Sequence, residues 1–317
     1  MKALDSLGRR TRTKPSSTGK RITPQPADLI WFQKLAAHGP LPSSYLLAFT
    51  RHLRRSDKRA TERLTDLFNE ENTKHGGRYL DRPAQQFRTI DSRYNQLVYD
   101  LAPAGRHALQ NFEEAVPSLN SGGPWLHRFM VACTTASIEI GTLSRPEVTF
   151  IPAHQILARA EAALRYPINA ETNSLCVTAD LIPDALFGLA YRTEEGERFR
   201  FFAVECDRAT EPITSTTWHR KSWTRNLIQY RAYIEGGGYR DHLRLTAPLL
   251  VLNVASDPVR VDRLLQATAS ELDMCRYHLF QSWESFGPIW RPPSPNTELL
   301  DAVWQRAGCP PFRIDQA

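Results

Sequence analysis

Two acidic residues stand at corresponding ends of two apolar segments in the second half of this 317-residue chain. The segments, residues 184–191 and 199–204, flank a polar turn centred on Glu194-Glu195-Gly196, a pattern that predicts a β-hairpin with a loop of four or five residues. Asp184 begins the first strand and Glu205 follows the second, so antiparallel pairing is expected to place the two carboxylates side by side. Paired carboxylates at one end of a sheet can hold a hard divalent cation such as Mg²⁺, which prefers oxygen ligands. The residues therefore predict a metal or phosphate site at this end of the hairpin.

Asp207 adds a third carboxylate two residues beyond Glu205, on the same face of an extended strand. Three neighbouring carboxylates repel one another unless a cation or an arginine compensates their charge. Asp207 is therefore either a third catalytic carboxylate or the partner of Arg208 in a salt bridge that ends the strand. A simpler alternative for the whole motif is a hairpin with solvated acidic ends, which discourage pairing with other strands.

The segment Ile182-Pro183-Asp184-Ala185, followed by Glu205-Cys206-Asp207, resembles the metal core of the PD-(D/E)XK nuclease superfamily, in which Pro-Asp precedes Glu-x-Lys. The resemblance implies an Mg²⁺-dependent nuclease with Asp184 and Glu205 as metal ligands. The chain departs from the pattern at Asp207, which replaces the lysine that orients water and stabilises phosphate charge in that superfamily. Lys221 is the nearest candidate for the missing lysine, although a regular helix over residues 214–235 would turn it toward solvent. The catalytic candidates are thus Asp184, Glu205, Asp207 and Lys221.

The positive charge of the chain is concentrated in its N-terminal third. Residues 1–112 carry 20 lysines and arginines against 10 acidic residues, whereas the remaining 205 residues carry 20 against 24. A basic module joined to a mildly acidic one is typical of proteins with an anionic partner, of which nucleic acid is the commonest. Double-stranded DNA is therefore the expected partner of the N-terminal third.

This N-terminal third divides into an arm and a small domain. Residues 1–25 are basic and lack apolar periodicity, which predicts a disordered arm. Residues 26–116 show helical patterns at 26–39, 45–49 and 58–69, followed by strand patterns at 76–80 and 95–101. Three short helices and a β-wing predict a winged helix-turn-helix, whose third helix enters the major groove while the wing contacts the DNA backbone. The expected DNA contacts are Arg59 and Arg63 on the third helix and Arg78 and Arg82 in the wing.

A loop rich in Pro, Ser and Gly at residues 117–124 separates this domain from a larger one at residues 125–280. The larger domain combines the hairpin with an apolar strand at 247–254 and with helices at 125–140, 214–235 and 259–272. We expect an α/β (mixed α+β) fold in which helices cover a sheet, as in restriction endonucleases. Residues 281–317 are predicted to form a mostly irregular tail with one short helix at 299–306.

The composition argues against several protein classes. No run approaches the roughly 20 apolar residues of a membrane span, and the N-terminus lacks the apolar core of a signal peptide. The five cysteines are never spaced Cys-x-x-Cys, which argues against a zinc ribbon or a disulfide framework. The protein is therefore expected to be cytoplasmic, without a membrane partner.

The order of winged helix, linker, Pro-Asp strand and a strand ending in Glu205-Cys206-Asp207-Arg208-Ala209-Thr210 resembles the replication-relaxation family of plasmids, phages and integrative elements. The Glu-x-Asp-Arg-x-Thr stretch carries the resemblance, which runs from Asp28 to Ala267. It implies a DNA-binding protein of a mobile genetic element that acts in replication or relaxation of plasmid DNA. Two hypotheses stay open: the second domain cleaves or nicks DNA with Mg²⁺, or the protein is a non-catalytic regulator whose second domain forms a homodimer or contacts another protein.

Overall fold

The computed structural model describes residues 12–72, 76–89, 91–110, 123–172, 175–215, 220–270 and 274–317. The chain has a mixed α+β fold and divides into two compact units. The first comprises Met1–Asn120 with Ile289–Pro295, and the second comprises Ser121–Pro288 with Asn296–Ala317. Among the described residues, no helix is both long and apolar enough to cross a membrane.

The first unit has the element order of a winged helix-turn-helix. Its elements are α1 (Pro26–His38), β1 (Leu41–Pro42), α2 (Ser43–Thr50), α3 (Asp57–Asn69), β2 (Leu80–Asp81), β3 (Val98–Leu101) and α4 (Pro103–Gln110). The three short strands form an antiparallel sheet in the order β1-β3-β2. Helix α3 begins at the Ser56 N-cap, whose side chain accepts a hydrogen bond from the Arg59 amide. Its apolar stripe of Ala60, Leu64, Leu67 and Phe68 is buried, as its periodicity predicts.

The wing strands are shorter than the sequence predicts. A strand was expected at residues 76–80, but Gly76 and Gly77 have φ angles of 78° and 139°, which favour a turn, so that β2 begins only at Leu80. The second wing strand was expected from Asn95 and instead starts at Val98.

The arm is not free of contacts over its described residues. The Arg12 guanidinium donates hydrogen bonds to the backbone carbonyls of Ser92, Arg93 and Asn95. The carboxylate of Glu70, which is buried, accepts hydrogen bonds from the hydroxyls of Ser17 and Thr18. The expectation of a disordered arm is therefore wrong for residues 12–25, because a buried carboxylate and the backbone of the wing supply partners that the local composition does not reveal. Residues 1–11 lie outside the described part of the chain.

The second unit is built on a five-stranded mixed sheet in the order β10-β9-β8-β7-β4. Strands β4, β7 and β8 pair antiparallel, whereas β8, β9 and β10 pair parallel. The elements are α5 (Trp125–Thr142), β4 (Val148–Pro152), α6 (Ala153–Ala160), β5 (Tyr166–Thr172), β6 (Leu175–Leu181), β7 (Ala185–Thr193), β8 (Gly196–Asp207), α7 (Trp223–Glu235), α8 (Gly238–Leu243), β9 (Leu249–Ala255), α9 (Pro258–Ala269), β10 (His278–Ser282) and α10 (Glu298–Asp301). Strand β9 is buried along its whole length, which explains its nearly continuous apolar sequence.

Two local predictions for this unit need correction. The hairpin loop contains two residues rather than four or five, because Thr193 pairs with Gly196 and the strands continue into the polar segment. Gly196 makes this tight turn possible with a φ of 120°. The helix predicted over residues 214–235 begins at Trp223, where the Ser222 side chain accepts a hydrogen bond from the Arg225 amide.

The C-terminal residues contain little regular structure beyond β10 and α10, but they belong to both units. In the first unit, the Gln96 side chain donates hydrogen bonds to the carbonyls of Pro292 and Pro293, and Tyr45 donates to the carbonyl of Ser294. In the second unit, Trp304 is fully buried and its backbone pairs with Phe312. The helix expected at 299–306 ends at Asp301, because the chain then becomes extended to make this pairing.

Candidate active site

Asp184 and Glu205 lie side by side at the end of the β7–β8 hairpin. The antiparallel register pairs Ala185 with Val204. Asp184 precedes Ala185 and Glu205 follows Val204, so these two residues lie opposite each other. Asp184 is oriented by the backbone, because its Oδ2 accepts a hydrogen bond of 2.9 Å from the amide of Cys206. The structure therefore brings the two carboxylates of the Pro-Asp and Glu-x-Asp segments together.

Glu205 faces the sheet-covering helix α7. The hydroxyl of Tyr230 donates a hydrogen bond of 2.6 Å to Glu205 Oε1. A small part of the Glu205 side chain remains open to solvent, yet protein surrounds its carboxyl group. This burial raises the pKa of Glu205 well above its ordinary value, and the negative charge of Asp184 adds to the effect. The carboxyl group therefore holds its proton more tightly than a solvated glutamate does.

His127, in the first turn of α5, is a site residue that the sequence analysis missed. Its Nε2 lies 2.9 Å from Asp184 Oδ1, and its side chain is 23% exposed. Burial lowers the pKa of His127, but the hydrogen bond and charge of Asp184 outweigh it, so the pKa is raised overall. A histidine at the start of a largely buried helix was the available signal, but its carboxylate partner is 57 residues away in sequence.

The two carboxylates open into a cleft of about 150 Å³ that is lined by strand ends and by the segment before α7. Lys221 lines this cleft, because α7 begins at Trp223 and the lysine precedes the helix instead of projecting from its outer face. Its positive charge partly offsets the influences that raise the pKa of Glu205 and of His127. Lys221 is thus exposed to solvent, as expected, but it also borders the cleft.

Asp207 is engaged by an arginine distant in sequence. Arg260, on α9, donates hydrogen bonds of 2.8 Å and 2.7 Å through Nε and Nη2 to Asp207 Oδ2. The other oxygen of Asp207 accepts from the amide of Ala209. Arg260 also donates to the carbonyl of Glu211, so it fixes the loop that follows β8. The salt bridge expected with Arg208 is thus made by Arg260, which the parallel β8–β9 connection brings to the end of β8.

Polar atoms without hydrogen-bond partners lie behind the carboxylate pair. Within the described residues, these atoms include Asn253 Oδ1, Trp223 Nε1 and His278 Nε2, all buried. Asn253 and Trp223 also line the cleft. No group of three or more His, Cys, Asp and Glu side chains in the described ranges is arranged to hold a metal ion. Besides Asp184 and Glu205, the carboxylates of Asp180 and Glu211 also line the cleft.

The four arginines expected to contact DNA have different environments. Arg59 is exposed on α3. Arg63 forms a salt bridge of 2.7 Å with the fully buried Asp28, and Arg78 forms one with Asp81. Arg82 lies over the ring of Phe68, with 4.0 Å from its guanidinium carbon to the ring centroid. Three of these arginines thus have structural contacts within the first unit.

Other basic side chains of the first unit are more accessible. Arg55 and Lys58 are exposed beside Arg59 at the start of α3. Arg88 and Arg93 are exposed in the segment between β2 and β3, next to Tyr94, which is 87% exposed. Exposure, which the sequence pattern does not give, distinguishes these residues from Arg63 and Arg82.

Comparison with known proteins identifies a family for the chain. Residues 32–247 match the family model described as replication-relaxation. No curated protein and no solved structure showed a significant match to the chain.

Proposed function

Because the chain belongs to the replication-relaxation family, we propose that it binds double-stranded DNA of a mobile genetic element and cleaves or nicks it with Mg²⁺. The observation that carries the proposal is the cleft that Asp184 and Glu205 share with the exposed Lys221 at its border. Two carboxylates beside one ammonium group are the charges needed to hold a divalent cation and an anionic phosphodiester together.

The chemistry of the donor set fits a hard cation. Asp184 and Glu205 would hold Mg²⁺ through their carboxylate oxygens, and the neutral amide oxygen of Asn253, in the same cleft, has no hydrogen-bond partner in the described part of the chain. When bound, the cation would polarise the scissile phosphate and lower the pKa of a coordinated water. A cation would also relieve the repulsion between the two carboxylates that raises the pKa of Glu205.

The residues around the pair have separate tasks in this proposal. The Cys206 amide and His127 orient the Asp184 carboxylate from two sides. Tyr230 fixes one oxygen of Glu205. Lys221 would stabilise the negative charge that grows on the phosphate during attack by water. This assignment gives Lys221 the charge-stabilising role of the lysine that is absent at position 207.

The first unit would supply the DNA contacts. Arg55, Lys58 and Arg59 form an exposed basic surface at the start of α3, the helix that enters the major groove in winged helix-turn-helix proteins. Arg88 and Arg93 are available to phosphates on the wing. We therefore place DNA binding and phosphodiester hydrolysis in different units of the chain.

The test is cleavage of supercoiled plasmid with Mg²⁺ or Mn²⁺. We expect nicked or linear product from the wild type and none from Asp184→Ala or Glu205→Ala. Glu195→Ala is the matched control, because Glu195 lies in the turn at the opposite end of the same hairpin and should leave cleavage intact. Cleavage that persists in both cleft variants would contradict the proposal.

A second candidate function is a DNA-binding regulator without catalysis. It is favoured by the fact that Asp184 and Asp207 are already satisfied by protein groups, the first by His127 and Cys206 and the second by Arg260. In this case the second unit would form a homodimer or bind another protein. Equal retardation of DNA by the wild type and both cleft variants, with no cleavage by any of them, would support this candidate.

A further inference from the structure

The side chain of Asn253 lies in the wall of the cleft, next to Glu205. Parallel pairing of β8 and β9 places Asn253 directly beside Glu205, so both side chains leave the sheet on the same face. Asn253 is only 2% exposed, in a strand that is otherwise entirely apolar or alanine. A single buried amide in such a strand needs a physical reason.

The nitrogen and the oxygen of the Asn253 amide have different surroundings. Its Nδ2 donates hydrogen bonds to the carbonyls of Val251, at 3.2 Å, and Leu279, at 3.1 Å, which fix the orientation of the group. Its Oδ1 has no hydrogen-bond partner among the described residues. A buried carbonyl oxygen without a partner is energetically costly and uncommon. Oδ1 is therefore the atom of Asn253 that can bind a ligand in the cleft.

The surroundings of Asn253 Oδ1 indicate which kind of ligand it would bind. Two carboxylates converge on the same cleft, and an amide oxygen adds a hard neutral donor to them without adding negative charge. The nearby His278 adds no competing positive charge, because burial lowers its pKa to about 3. A small divalent cation with oxygen preference would satisfy all three oxygens at once.

We propose that Asn253 Oδ1 is the third oxygen ligand of the divalent cation held by Asp184 and Glu205. The inference rests on the proposed function, because it requires the cation site. It also gives the buried amide a role that a purely structural residue at this position would not have.

The experiment is calorimetric titration of the full-length protein with Mn²⁺ in the absence of DNA, which measures affinity independently of cleavage. We expect Asn253→Ala to weaken Mn²⁺ binding by about tenfold or more. Asn253→Asp keeps the size of the side chain and adds a charged oxygen, so it should bind Mn²⁺ more tightly than the wild type. Circular dichroism of each variant establishes that the fold is retained.

Gln229→Ala is the matched control for these variants. Gln229 is also a buried amide that lines the cleft, and its Nε2 is likewise held by two carbonyls, those of Ala179 and Asp180. Its oxygen is not among the buried atoms that lack a partner. We expect the Gln229 variant to bind Mn²⁺ with wild-type affinity.

The outcomes separate this inference from the proposed function. If Asp184→Asn abolishes Mn²⁺ binding while both Asn253 variants keep wild-type affinity, the cation site stands and Asn253 is not a ligand. If the wild type binds no Mn²⁺, the metal-dependent function and the role of Asn253 are both refuted. Should Asn253→Ala fail to fold, Asn253→Asp decides, since unchanged affinity in that variant overturns the inference.

Discussion

The carboxyl group of Glu205 is subject to opposing influences in the cleft. Burial and the charge of Asp184 raise its pKa, while the Tyr230 hydrogen bond and the charge of Lys221 lower it, and Glu211 raises it further. The first two prevail, so ionisation of Glu205 in the absence of a cation works against the folded state. The apposition of Asp184 and Glu205 was predictable from their positions at the hairpin ends. The Tyr230 contact and the burial were not, because they depend on how α7 packs on the sheet.

The raised pKa gives a stability that depends on pH. A carboxyl group with a folded-state pKa above its unfolded value contributes stability below the unfolded pKa, and this contribution is lost as the pH rises through the folded pKa. Glu205→Gln should mimic the protonated form and avoid the loss. In EDTA, we expect the free energy of unfolding of the variant, relative to that of the wild type, to rise as the pH is raised from about 5 to about 8. Urea unfolding at both pH values measures this, and a constant difference would contradict it.

At the scale of elements, the start of α7 decides which side chains reach the cleft. The helix predicted at 214–235 would begin with Thr214 as its N-cap, and the buried residues Trp223, Leu227, Tyr230 and Ile234 recur at helical spacing in both the predicted and the observed helix. This stripe fixes the face of the helix but not its first residue, because either cap is compatible with the same periodicity. The actual cap at Ser222 places Lys221 in the cleft wall. The sequence thus predicted that this element is a helix, but it did not predict the first residue of the helix. That boundary changed the interpretation of Lys221.

The two alternative caps make a direct comparison possible. Ser222→Ala removes the acceptor of the Arg225 amide and should lower the free energy of unfolding by about 1 kcal/mol. Thr214→Ala alters an exposed residue that lies outside the helix, and we expect a change within about 0.5 kcal/mol. Urea unfolding of both variants tests this. A larger effect at Thr214 than at Ser222 would place the functional cap at the earlier position.

At the scale of the whole molecule, the excess of basic residues and the acidic cleft belong to different units. The basic excess lies in residues 1–112, whereas the acidic cleft is built from residues of the second unit. Composition alone indicated this division. It did not indicate which basic residues are available to a partner, because several of them compensate buried charges or stack on aromatic rings.

Variants on α3 separate DNA contact from structural support. Replacing Lys58 and Arg59 by alanine should weaken DNA binding and reduce the log–log salt slope by about two, with little change in stability. Arg63→Ala should instead lower the free energy of unfolding by about 1–3 kcal/mol, because the buried Asp28 then loses one of the two arginine partners that it has among the described residues. Fluorescence anisotropy at several salt concentrations and urea unfolding give the two readouts. An unchanged salt slope in the double variant would exclude this surface from phosphate contact.

The assignment of Ile289–Pro295 to the first unit has a consequence for synthesis and genetics. The first unit is completed by residues that follow most of the second unit in the chain and are therefore translated after it. Until then, Gln96 and Tyr45 lack the carbonyl partners that this segment brings. A nonsense codon anywhere before position 289 would therefore remove part of the first unit as well as the end of the second unit, and a gene fragment that stops at the linker would not encode the complete first unit.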